Sequence, residues 1–74
     1  MKIVAQVRPA NGPRLIVYYD DRGNNRYRVV MEWFELDGER MKHRAKQLQK
    51  YANLASALFY MYDFINRNLD EEGR

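Results

Sequence analysis

Apolar and polar positions alternate with a period of two over the first half of the chain and recur at helical spacing over the second. Lys2 to Arg8 alternates, with Ile3, Ala5 and Val7 on one face, and Pro9-Ala10-Asn11-Gly12-Pro13 ends the run with turn chemistry. Arg14 to Tyr19 is dense in β-formers (Leu15, Ile16, Val17, Tyr18, Tyr19), and Asp20 to Asn25 supplies the next loop. Arg26 to Leu36 is the longest strand candidate. Asp37-Gly38 follows it, a dipeptide suited to a type I′ hairpin because both central residues must take positive φ. A fourth strand, Glu39 to about Arg44, completes the set. A turn centred on Asp37-Gly38 sets Leu36 opposite Glu39, Glu35 opposite Arg40, Phe34 opposite Met41, Trp33 opposite Lys42 and Glu32 opposite His43.

From about Ala45 to Leu69 the chain has no Gly or Pro and many good helix formers, so one helix is expected there. The predicted architecture is α+β: an antiparallel meander of three to four strands, then one long C-terminal helix packed on one face. Residues 1–69 form a single domain in this reading, with 70–74 a frayed tail. Both faces of the third strand carry apolar groups, Val29, Met31 and Trp33 against Val30, Phe34 and Leu36. The pattern leaves open which of them meets the helix.

Length sharpens the energetic picture. A domain of 74 residues buries only about 60% of its unfolded surface, and small domains usually add disulfides, a metal or a partner subunit to such a core. The chain has no cysteine and a single histidine, His43, so a disulfide framework and an ordinary zinc site are both excluded. Oligomerisation or a protein partner is the expected supplement. A reducing, cytoplasmic location fits the cysteine count. No signal-peptide pattern opens the chain, and the longest uncharged stretch, Tyr51 to Tyr62, is far short of the roughly 20 residues a spanning helix needs.

The helix carries the first candidate interface. With its start at Ala45, its apolar residues fill an arc of roughly 240°, wider than the ~100–140° stripe that one small sheet covers. The excess predicts a homodimer or partner-protein interface built on Phe59, Tyr62, Phe64 and Met61, since aromatics and Met are enriched in interfaces. The competing reading is a sheet that curls around the helix. Of the tyrosines, only Tyr60 falls on the polar side.

Charge adds a second candidate. The net charge is +3, and residues 1–50 carry eleven Lys/Arg against six Asp/Glu. Arg40, Lys42, Arg44, Lys46 and Lys50 follow one another with no acid between them, and strand alternation places the first three beside Trp33, with Arg26 and Arg28 near in sequence. A basic, aromatic sheet face can hold nucleic acid, with cations on phosphate and the ring on a base; an acidic protein surface would suit it too. The solvated alternative sets Lys42 over Trp33, pairs Arg40 with Glu35 and uses edge charge to block strand addition. In element order, a hairpin at Tyr27 to Arg44 followed by a helix resembles the small DNA-binding domains attached to phage and transposon recombinases. None of their specific motifs is present.

Catalytic chemistry has little to work with. Cys and Thr are absent, the single Ser56 lies in the helix, and the glycines form no phosphate-cradling loop. Glu32 and Glu35 fall on opposite faces of a strand and cannot act as a paired acid and base. His43 opposite Glu32 reads as a strand pair. The polar stripe of the helix, mixed in Asn, Ser, Gln and Asp, does not suit a membrane surface. No cofactor or small-molecule substrate is implied. The sequence leads to a non-enzymatic binding protein, a small bacterial or phage accessory factor that inhibits or regulates a protein or nucleoprotein target such as a host defence complex. The alternative is a DNA- or RNA-binding module using the basic hairpin.

Overall fold

A computed structural model describes the backbone of residues 1–9 and 12–72 and the side chains of residues 1–9 and 12–67. Strands β1 (Lys2–Val7), β2 (Arg14–Tyr19), β3 (Tyr27–Asp37) and β4 (Arg40–Tyr51) are followed by helix α1 (Leu54–Glu72). The strands form one antiparallel sheet in the order β1-β2-β3-β4, so the α+β meander with a C-terminal helix is the fold. Of the tail expected at 70–74, Gly73 and Arg74 lie outside the described residues, as do Ala10 and Asn11 of the first turn.

The register settles which face of β3 is buried. Val17 pairs with Val29 and Leu15 with Met31, while Ala5 and Val7 sit opposite Val17 and Leu15. Those residues share the face on which α1 lies, and Leu15, Val17, Val29, Ala57 and Met61 form the buried core. Tyr27, Met31, Leu48, Tyr51, Leu54, Tyr60, Phe64 and Ile65 pack around it. Ile16, on the opposite face between Gln6 and Val30 in the register, is also fully buried. Among the described residues no helix covers that face.

Two expectations need correction. The helix does not begin at Ala45: residues 45–51 continue β4, and α1 starts at Leu54. The stretch Ala45 to Ala52 is rich in helix formers, but pairing with the strongly β-forming β3 decides its conformation, Tyr51 against Tyr27 and Gln49 against Val29. Asn53 then supplies the helix cap, its side-chain oxygen accepting a hydrogen bond from the Ser56 backbone N–H at 2.9 Å. The apolar arc shrinks accordingly, because Leu48 and Tyr51 reach the core from a strand.

The hairpin register also differs from expectation, by two residues. The turn is centred on Gly38-Glu39, with Asp37 opposite Arg40, Leu36 opposite Met41, Glu35 opposite Lys42, Phe34 opposite His43 and Trp33 opposite Arg44. Gly38 has φ +67° and Glu39 does not take positive φ, which is the type II′ arrangement with glycine first. A shift of two preserves which face each residue occupies.

A register irregularity between Val29 and Val30 places a β-bulge in β4 around Leu48. Before it, the even-numbered residues of β4 share the helix side; after it, Gln49 and Tyr51 do, opposite Val29 and Tyr27.

Candidate functional site

β3 pairs with β2 only as far as Glu32. Among the described residues, those of β3 from Trp33 onward pair with β4 alone, and the residues packed on the core reach no further than Met31 on β3 and Leu48 on β4. The β3–β4 hairpin from Trp33 to Arg44 therefore projects from the domain as an arm, consistent with overall extents of 40 × 31 × 15 Å.

The arm has two chemically different faces. On the helix-free side, Phe34, Leu36 and Met41 are 57%, 72% and 62% exposed, with Leu36 and Met41 directly opposite one another. The ring of Phe34 meets that of His43 edge-on at 5.3 Å. On the helix side lie Trp33, Glu35 and Asp37, facing Arg44, Lys42 and Arg40, and Lys46 continues the row opposite Met31. Charges pair diagonally here: Lys42 Nζ lies 2.6 Å from Asp37 Oδ2 and Arg44 Nε 2.7 Å from Glu35 Oε1. The indole N–H of Trp33 donates to the second Glu35 oxygen at 3.4 Å. Among the described residues, Arg40 and Lys46 have no ion pair, so the face keeps a positive excess smaller than its cation content implies.

A polar belt crosses the root of the arm on the helix-free face, one residue from each strand. Arg14 of β2 donates to Gln6 of β1 and is paired with Glu32 of β3, and His43 of β4 holds the other Glu32 oxygen at 2.9 Å. Glu32 is mostly buried, yet its carboxyl is held below the usual range, chiefly by the hydrogen bond from His43, with Arg14 adding to it and burial opposing. Beside the belt, an open cleft of about 470 Å³ separates the first turn (Arg8, Pro9, Pro13) from Trp33 and Phe34.

No protein-family model matches this chain, and no curated protein or solved structure is significantly similar to it. The site therefore rests on its own geometry. Among the described residues no three His, Asp or Glu side chains converge as a metal would need, and no helix is long and apolar enough to cross a membrane.

The residues expected to form sites are only partly brought together. Trp33, Arg40, Lys42 and Arg44 do share one face. Arg28 is on the other face, bound to Asp20 Oδ2 at 3.1 Å, and Arg26 lies in the β2–β3 loop with its Nε donating to the Gly23 carbonyl. Asp20 is buried, and its carboxyl is held below its ordinary value mainly by the side chain and backbone N–H of Arg22. Of the helix residues, Phe59 and Tyr62 are 76% and 54% exposed, whereas Met61 is fully buried in the core and Phe64 packs against it. Tyr60, expected to be exposed, stacks on Phe64 and meets Tyr51 with ring centroids 5.9 Å apart. Sequence reasoning missed the apolar arm face. Its signal was present, since Phe34, Leu36 and Met41 all fall on the face opposite Val29 and Met31.

Proposed function

We propose that this is a cytoplasmic, non-enzymatic binding protein that docks on a protein target through its β3–β4 arm, in the manner of an accessory factor that inhibits or regulates what it binds. The observation that carries the reading is the exposed cluster Phe34, Leu36 and Met41 on a hairpin that contributes nothing to the core. Large apolar side chains held in water together on a projecting element favour association, and aromatics and Met are the residues enriched at interface centres. The absence of cysteine supports the compartment.

The arm is favoured over the helix flank because, among the described residues, that flank exposes only Phe59 and Tyr62, on the opposite side of the sheet. Nucleic acid is the second reading, supported by Trp33 with Arg40 and Lys46, which have no ion pair among the described residues. Glu35 and Asp37 stand among those cations and would face phosphate, which weakens it.

Affinity capture from source cells, comparing the native chain with the Leu36→Glu/Met41→Lys double variant and an Asn66→Asp control on the helix, tests the proposal. A protein retained by the native chain and the control but lost with the arm variant supports it. Equal retention by all three, or recovery of nucleic acid alone, overturns it.

A further inference from the structure

β4 is the last strand of the sheet, so along its outer side from Arg40 to Lys46 every second residue presents an N–H and C=O with no strand partner among the described residues. It contains no proline, and all those N–H groups can donate. Such an edge is a template for an added strand. Its side chains decide which strand it accepts.

From Arg40 to Lys46 the alternation is strict. Arg40, Lys42, Arg44 and Lys46 point to the helix side, while Met41, His43 and Ala45 point to the other, beside Leu36 and Phe34. A second copy of this chain is a poor occupant. Two β4 strands paired antiparallel about a two-fold axis normal to the sheet would set the even residues of one against the even residues of the other, cation opposite cation. The edge thus repels its own kind. We infer that β4 is a docking edge for an extended acidic segment of a partner protein, which adds as a fifth strand with carboxylates on the helix side and apolar residues on the helix-free side.

The spacing suits an added strand, and the apolar residues between the cations favour a peptide over a nucleic-acid backbone. Cations two residues apart repeat at ~6.6–6.8 Å, which is also the same-face repeat of any strand laid alongside. Each Asp or Glu at alternate positions then lies beside Arg40, Lys42, Arg44 or Lys46, and Arg40 and Lys46 have no competing carboxylate of their own among the described residues. The intervening apolar residues extend the Phe34, Leu36 and Met41 surface, for which a phosphate backbone offers no match. Backbone hydrogen bonds would supply affinity and the two alternating faces specificity. This inference rests on the proposed arm-mediated protein binding and specifies its chemistry.

The probe is a fluorescent peptide of ~10 residues alternating Glu and Val, titrated by anisotropy at low and high salt. Its comparators are a Lys-Val alternation, the Glu-Val peptide N-methylated on alternate backbone nitrogens along one edge or the other, and a short DNA duplex. Expected are saturable binding of the Glu-Val peptide, weakened by salt, and no binding of the Lys-Val peptide. N-methylation along at least one edge should abolish binding, because it removes the donors that face β4. Arg40→Glu/Lys46→Glu should weaken binding at least about tenfold, and Arg40→Ala/Lys46→Ala less, both without loss of folding because these side chains are exposed. Newly slowed amide exchange confined to β4 in the complex would locate the added strand. Binding unaffected by N-methylation along either edge overturns strand addition, tighter binding of DNA overturns the choice of partner, and no peptide binding overturns the inference outright. Loss of target capture in the Leu36→Glu/Met41→Lys variant alongside any of these failures leaves the broader reading intact.

Discussion

His43 Nε2 lies 2.9 Å from Glu32 Oε2, although the strand register sets Glu32 opposite Ala45 and His43 opposite Phe34. The contact is diagonal. It joins the edge strand to a carboxylate that Arg14 grips from the other side, so one side chain ties three strands together on a face with no helix to hold them.

Acid should loosen this arrangement. Glu32 and Asp20 both have folded-state pKa values below their ordinary ones, so the folded chain binds their protons more weakly than the unfolded chain does. Their contribution is fully present above the ordinary carboxylate range of about 4 and is lost as pH falls through the depressed values. Urea midpoints followed by Trp33 fluorescence should therefore decline as pH falls below about 4. Glu32→Gln and Asp20→Asn should each flatten that decline. An unchanged slope in both variants would remove these groups from the account.

The cap at Asn53 gives a second prediction. Asn53→Ala should cost about 1 kcal/mol, because the Ser56 N–H loses its acceptor, while Asn53→Asp should be nearly neutral. Urea denaturation monitored by circular dichroism measures both. A helix that began near Ala45 would instead be slightly stabilised, because Ala is the better former in a helix interior.

Neighbouring helix positions should respond in opposite ways. Met61→Ala empties a fully buried site and should cost ~2–5 kcal/mol, a large share of what a domain this small has. Phe59→Ser, on the exposed flank, should stay within about 0.5 kcal/mol. Light scattering on Phe59→Ser also reports on the helix flank: a native dimer that dissociates on this change would give the flank a role in self-association.

The turn at Gly38 can be tested directly. Its φ of +67° lies in the left-handed region, where a β-carbon is strained although nothing crowds it. Gly38→Ala should cost ~1–2 kcal/mol, and Gly38→Asn less. Cross-strand proton contacts between Leu36 and Met41 should survive in the asparagine variant, and their replacement by Leu36–Glu39 contacts would restore the register expected from Asp37-Gly38.

The sheet was legible because Leu15, Val17 and Val29 recur at strand spacing between strong turn signals. The first half of β4 was legible from its hairpin turn, but residues 45–51 were not, since β4 contains no β-branched residue and this part is a strand because β3 lies beside it. Its misreading propagated. Counting Leu48 and Tyr51 as helical widened the apolar arc, which in turn made Met61 and Phe64 look like surplus surface. The basic row was visible in the sequence, but its partial neutralisation by Glu35 and Asp37 depends on diagonal distances that no linear pattern contains. Arg28 was misplaced although alternation along β3 alone sets it on the face opposite Trp33.

The bulge at Leu48 lets a single strand be read in two frames. Without the extra residue, Lys50 would fall opposite Tyr27 beneath the helix and Tyr51 would turn outward; with it, Tyr51 closes the core and Lys50 faces water beside Arg28. The arm half of β4, ahead of the bulge, is thereby released from the packing constraints that govern the half next to α1. Sequence drift can rewrite the arm while the folded base that presents it stays the same.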